Sequence, residues 1–366
     1  MWRRAQAIGD KDVARQMRKV FGRFPADSRH DPAAAAKAYG QLMFTPASLG
    51  RFGHTQIRGE KQFINKCFNV ALRDESCEFE QLTKRVTLVS DSLLLSHGPD
   101  APYCHLGENR DTVAFTDGNN LQPSGGDTRI IHYGIHCPDL AALGTWLLEA
   151  EPLIKAGLAW YLPSYSTRTE YRSTYERAAA LPVSQIAAVD YIIRGGKLID
   201  SSESNPVKDR LVRPILQIDL PFIDDVTLRD FSKITVDEFD SYKGFRGFLR
   251  TRFLSIGEAL NAEQSQLELA KLRLEIEDQV SAMQAELYAA KRKKSLGVVG
   301  ATVASTAALL VAVEGSVMER VLTTLGLTTA GTFWGAIKDR VENGPRAIQN
   351  GKWYYVWILA RKSRSL

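Results

Sequence analysis

From Ser295 to Val313 the chain runs nineteen residues without a charge, "SLGVVGATVASTAALLVAV", directly after the cluster "KRKK". A helix rises about 1.5 Å per residue, so this run spans a hydrocarbon core of about 30 Å. That leaves two designs. Either the segment enters a membrane, or it is the buried half of a soluble helical hairpin. After the break "EGSVMER", residues 321–337 add seventeen more uncharged positions before Lys338.

Charge placement argues for the membrane. Lys291, Arg292, Lys293 and Lys294 precede the first half and suit anionic headgroups. Lys338 and Arg340 follow the second half, and the connection holds Glu314 and Glu319 against one Arg320. Under the positive-inside rule both ends stay cytoplasmic and only the tip crosses. Small residues such as Gly297, Gly300, Ala301 and Ala304 let two helices approach closely in lipid, and threonine hydroxyls bond back to helix carbonyls. The expected lipid contacts are Leu296, Val298, Val299, Leu309, Leu310, Val311, Leu322, Leu325, Leu327, Phe333 and Trp334. In the tail, Trp353, Tyr354 and Trp357 suit the headgroup level, with Arg361 and Lys362 beside them. The soluble design uses the same residues: small side chains also make a tight hairpin in water, and "WYYVWIL" is β-prone.

Upstream, "TVDE" has the form of a capping box, with Thr235 as N-cap and Glu238 three residues on. It opens a long helical arm over 235–294. Phe253, Ile256, Leu260, Leu267, Ala270 and Leu274 follow coiled-coil spacing, and after a one-residue slip Val280, Met283, Leu287 and Ala290 resume it. About 38 helical residues reach roughly 57 Å, and the 256–294 stretch is a candidate homo-oligomer seam.

The rest reads as an α+β body, helix-rich and mixed. Its composition, 44% hydrophobic and 24% charged, suits a folded core rather than a disordered chain. The five parts expected are a helical region at 1–97, a mixed body at 98–234, the arm at 235–294, the hairpin at 295–337 and a basic aromatic tail at 338–366. Residues 10–22 put Val13, Met17, Val20 and Phe21 on one helical face, and a second helix is expected at 33–44. "QFINKCFNVALRDES" and "FEQLTKRVTLVSDSLLLSH" read as helical, with strand character at "RVTLV". Residues 98–128 read as a long loop holding a short strand at "TVAF". "RIIHYGIHC" and "LAWYLPSY" read as strands around a helix broken at Pro152, and "RPILQIDLPFI" as the best strand of all.

Net charge is +5 and dispersed in short clusters, so no nucleic-acid partner is expected. The four cysteines are too sparse for a disulfide framework, and the amino terminus lacks an apolar signal core, which together suggest reducing, cytoplasmic surroundings at the inner face of a membrane. The one constellation with metal chemistry is Cys104 and His105 with His132, His136 and Cys137; imidazole and thiolate are preferred zinc ligands. Its spacing fits no standard zinc pattern, and on a strand His132 and His136 share a face that Cys137 does not. Apart from zinc no cofactor is expected. Tyr165, Arg168 and Arg172 interleave aromatic and basic groups, and Asp224, Asp225 and Asp230 form an acidic group, but helix-start preference accounts for the latter. Phosphate-loop, dinucleotide and nucleophile-elbow motifs are absent. The expectation is a non-enzymatic membrane effector or regulator. The alternatives are a soluble oligomeric interaction protein and a metal-dependent enzyme.

Overall fold

Two short segments with apolar centres, "NVALRD" and "SLLLS", form the centre of a parallel sheet rather than the helices expected there. The computed structural model describes residues 7–44, 68–113, 127–172, 189–195, 197–201, 206–256, 262–295 and 351–363. Strand β1 (Asn69–Asp74) pairs in parallel with β2 (Ser92–Ser96), Asn69 opposite Ser92. Both are buried along nearly their whole length, as strands covered by helices on both faces must be. Such short segments with apolar centres carry no period that separates strand from buried helix, which is why the sequence misleads here.

The remaining strands are β3 (Tyr103–Val113), β4 (Asp127–His136), β5 (Ala159–Tyr161), β6 (Ser164–Arg172), β7 (Tyr191–Arg194) and β8 (Lys197–Asp200). The first sheet has the order β5-β2-β1-β7-β8, parallel except for the β7–β8 hairpin. The chain leaves β1 in one direction and returns on its other side at β7. This is the order of a doubly wound sheet, in which functional groups collect at the carboxyl ends of the strands. The second sheet is antiparallel with the order β3-β4-β6. Strand β3 occupies much of the loop expected at 98–128.

The helices are α1 (Lys11–Gly22), α2 (Pro32–Met43), α3 (Phe79–Val86), α4 (Leu140–Glu149), α5 (Glu151–Ala156), α6 (Pro206–Gln217), α7 (Pro221–Asp224), α8 (Leu228–Asp237), α9 (Phe239–Ile256), α10 (Ala262–Ser295) and α11 (Lys352–Ser363). In α1 the expected stripe Val13, Met17, Val20 and Phe21 is buried, and the Asp10 carboxylate caps it by accepting from the amides of Asp12 and Val13. The segment expected to be the best strand is instead the end of α6 followed by α7. Leu211, Val212 and Ile215 share its buried face, and the Arg85 guanidinium donates to the carbonyls of Ile215 and Ile218 at its end. Thr235 is no N-cap: it lies buried inside α8, whose cap is Thr227.

The arm is two helices, α9 and α10, with 257–261 outside the described residues. Its buried stripe is Leu269, Leu272, Ile276, Val280 and Met283, while the expected seam members Leu267 and Leu274 are 56% and 60% exposed. The stripe faces α11 and α9 of the same chain. Among the described residues no helix is long and apolar enough to cross a membrane. The expected hairpin, apart from Ser295, lies outside them.

Helices α2 and α4 cross almost backbone to backbone at Gly144. A Cβ there would fall 1.6 Å from the Pro32 carbonyl oxygen, a group that cannot swing aside. Gly144→Ala is therefore expected to lower stability by about 3 kcal/mol, the upper range for overpacking, as read by denaturant unfolding.

Candidate functional site

At the carboxyl edge of the parallel sheet, three side chains from three separate strand ends meet. After β1 the Asp74 carboxylate accepts from the Ser76 amide (3.0 Å), the Ser76 hydroxyl (2.9 Å) and the Glu78 amide (3.0 Å). That tight loop holds Cys77 at φ +68, a left-handed conformation that costs a non-glycine residue about 1 kcal/mol or more. His97 directly follows β2. Cys137 directly follows β4, where the chain turns into α4 under the Asp139 cap.

The ligating atoms of Cys77, His97 and Cys137 all lie within 4.8 Å of one another. Burial is nearly complete, with 7% of Cys77 and none of His97 or Cys137 exposed. Nδ1 of His97 is 2.8 Å from the Tyr161 hydroxyl at the end of β5, while Nε2 has no hydrogen-bond partner of ordinary geometry. Phe79 stacks on the imidazole at 4.9 Å and Trp146 closes over Phe79 edge-on. Both thiols reach the main-chain oxygen of Asp139, Cys137 at 3.2 Å and Cys77 at 3.7 Å.

Their chemistry is unequal. A hydrogen bond from Cys77, helped by the His97 imidazole, draws the Cys137 thiol down to about 5 against the opposing effect of burial. The same hydrogen bond and burial push Cys77 well above the ordinary thiol range. The two thiols are thus unequal, Cys137 drawn down and Cys77 pushed up by the hydrogen bond between them.

The five residues expected to form a metal set are divided between two places. His105 and His132 lie on the outer face of the β3-β4-β6 sheet, ring centroids 6.2 Å apart, in an open cleft with Tyr103, His136, Ser166, Thr167 and Arg168. His136 has both nitrogens engaged, Nδ1 with the Ala101 carbonyl at 2.8 Å and Nε2 with the Ser166 hydroxyl at 2.6 Å. His132 Nδ1 stands 3.9 Å from a Glu108 carboxylate oxygen. Cys137 points the other way, as strand alternation requires. Cys104 stays at the seam, its sulfur 3.6 Å from the Cys137 carbonyl, with its thiol raised by burial. Among the described residues only Cys77, His97 and Cys137 form a three-ligand group.

Cys77 and His97 were missed because nothing local marks them; they are separated by twenty positions and meet Cys137 only through the sheet. Tyr165 of the aromatic-basic segment is buried, its hydroxyl donating to the Gly40 carbonyl at 2.6 Å. Asp224 of the acidic group is an ion-pair partner of Arg85 at 2.5 Å.

The expected lipid contacts Leu296 to Trp334 lie outside the described residues, as do the side chains of Lys291 to Lys294. Within the tail Lys352–Ser363 is a helix, and Trp353 corrects the headgroup expectation: it is 8% exposed and packs on Phe248 at 4.9 Å. Tyr354 and Trp357 are half-buried and stack on each other at 5.8 Å. Arg361 lies over Trp357, and Lys362 is 3.5 Å from Asp230. Comparison with known proteins finds no matching family model, no matching curated protein and no matching solved structure.

Proposed function

We propose that this chain is a membrane-associated, non-enzymatic effector or regulatory protein whose α/β body is held at the inner face of a membrane by the segment after α10. The observation that carries this reading is the uncharged run at 295–313, with basic residues outside it and acidic residues in the connection that follows. The packing of the flanks supports it. Helix α10 leads into the segment, α11 follows it, and the two pack on each other and on α9. Both ends of the segment therefore belong to one body, which is compatible only with an even number of crossings or with a re-entrant hairpin. The charge pattern asks for the same topology.

The test is fractionation of cells expressing the full chain, with an alkaline carbonate wash, beside a full-length Val299→Arg, Leu310→Arg variant. Each arginine at a helix centre costs about 3 kcal/mol on the insertion scale. The wild type is expected in the washed pellet and the variant mostly in the supernatant. A wild type fully released by carbonate overturns the proposal. In that case a detergent-free oligomer in light scattering identifies the soluble interaction protein instead.

A further inference from the structure

We propose that Cys77, His97 and Cys137 bind a zinc-class divalent cation that ties the two sheets together. The ligand chemistry is that of zinc: two sulfurs and one imidazole nitrogen, all within 4.8 Å. In a tetrahedral site these donors stand roughly 3.5–3.8 Å apart, from metal–sulfur and metal–nitrogen bonds of about 2.3 and 2.0 Å. The preformed group needs little closing to reach that.

The second observation is His97 itself. Its Nδ1 faces the Tyr161 hydroxyl at 2.8 Å; with that hydroxyl accepting, the proton sits on Nδ1 and the Nε2 lone pair is available to a metal. That nitrogen is fully buried without a hydrogen bond of ordinary geometry, and the Cys137 sulfur is the polar group that interacts with the ring besides Tyr161. A buried acceptor left unmade costs about 1–3 kcal/mol, so such a group calls for a partner. A metal ion supplies it, and the Tyr161 contact is the outer-shell bond that holds a metal-bound imidazole in its tautomer.

Burial decides between a metal ligand and a catalytic thiol. None of Cys137 or His97 is exposed, and the open cleft lined by His105, His132 and His136 is on the other face of the β3-β4-β6 sheet. A nucleophile needs a substrate path; a structural ion does not. The Asp139 main-chain oxygen lies beside both sulfurs, 3.7 Å from Cys77 and 3.2 Å from Cys137. Cys77 and His97 belong to the parallel sheet's edge and Cys137 to the end of β4 in the second sheet. The ion would link the two.

The full chain, purified without chelator and dialysed against micromolar zinc, is assayed by elemental analysis. About one tightly held zinc per chain is expected, as in structural sites. His97→Gln and Cys137→Ala are expected to reduce retained zinc at least tenfold, whereas His132→Gln with His136→Gln leaves it unchanged. Tyr161→Phe is expected to weaken zinc affinity by about 10- to 100-fold, the usual cost of an outer-shell partner. Should a variant fail to fold, cobalt substitution of the wild type decides, with a tetrahedral ligand-field spectrum and thiolate-to-cobalt charge transfer expected. Trace metal only, a cobalt spectrum without thiolate bands, or metal lost with the His132 and His136 pair and kept without Cys137 overturns the proposal.

Discussion

A chain ending at Lys294 is expected to lose its fold, and not merely a membrane attachment. Helix α11 lies beyond that cut and supplies Trp353, Tyr355, Val356, Leu359 and Ala360 to the core. Tyr355 is fully buried, its hydroxyl 2.8 Å from Thr235 Oγ1 and its ring 5.5 Å from Tyr242. The helix start is stitched to α9 twice. The Ser241 hydroxyl donates to the Gly351 carbonyl at 2.5 Å and accepts from the Tyr355 amide at 2.9 Å. Removing one large buried side chain costs about 2–5 kcal/mol, and whole domains are stable by only about 5–15 kcal/mol. Deleting three such side chains, Trp353, Tyr355 and Leu359, together with Val356 and Ala360 exhausts that margin.

The expected result is aggregation or protease sensitivity of the truncated chain. The full-length Tyr355→Ala variant should show a fall of about 3–5 kcal/mol in denaturant unfolding. A Lys294 truncation that unfolds cooperatively with wild-type stability would show that α11 is not part of the core. This is why membrane attachment has to be tested by arginine substitution in the intact chain: a truncation would move the protein to the pellet by aggregation, whatever the hairpin does.

The tail also shows what was legible in the sequence and what was not. Amphipathic spacing alone identifies α1, because Val13, Met17, Val20 and Phe21 admit one buried face. In α10 the stretch "LELAKLRLEI" places leucines at 267, 269, 272 and 274, so two stripes of similar apolarity are available. Tertiary packing buries the second and third leucines and leaves the outer pair exposed. In "WYYVWIL" aromatic β-propensity is overruled by burial against α9. The strand alternation that separates His132 and His136 from Cys137 was readable in advance; the partners Cys77 and His97 were not, since parallel pairing brings distant strand ends together without a local pattern.

The second large effect is expected at Lys208, on α6. Its ammonium lies 3.1 Å from an Asp190 carboxylate oxygen, with 4% and 6% of the two side chains exposed. Asp190 also accepts the Ala71 amide of β1 at 2.9 Å, so the pair sits at the junction of α6, β1 and β7. Breaking a buried pair by removing one partner costs about 3–5 kcal/mol, because the other charge stays buried without compensation. Lys208→Met is expected to lose that much at pH 7.5, while adding Asp190→Asn restores most of it, since a neutral buried pair has no charge to desolvate. The pH dependence separates this cause from a packing defect. Burial already raises the Asp190 carboxyl in the wild type, with Lys208 opposing the rise. Without Lys208 the folded-state value climbs further above that of the unfolded chain, so the native state binds the extra proton. Stability of Lys208→Met must then fall as pH rises through the folded value and recover on acidification. Denaturant midpoints measured from neutral pH down to about pH 5 should show the deficit shrinking, and a deficit constant across that range would place the loss in packing instead.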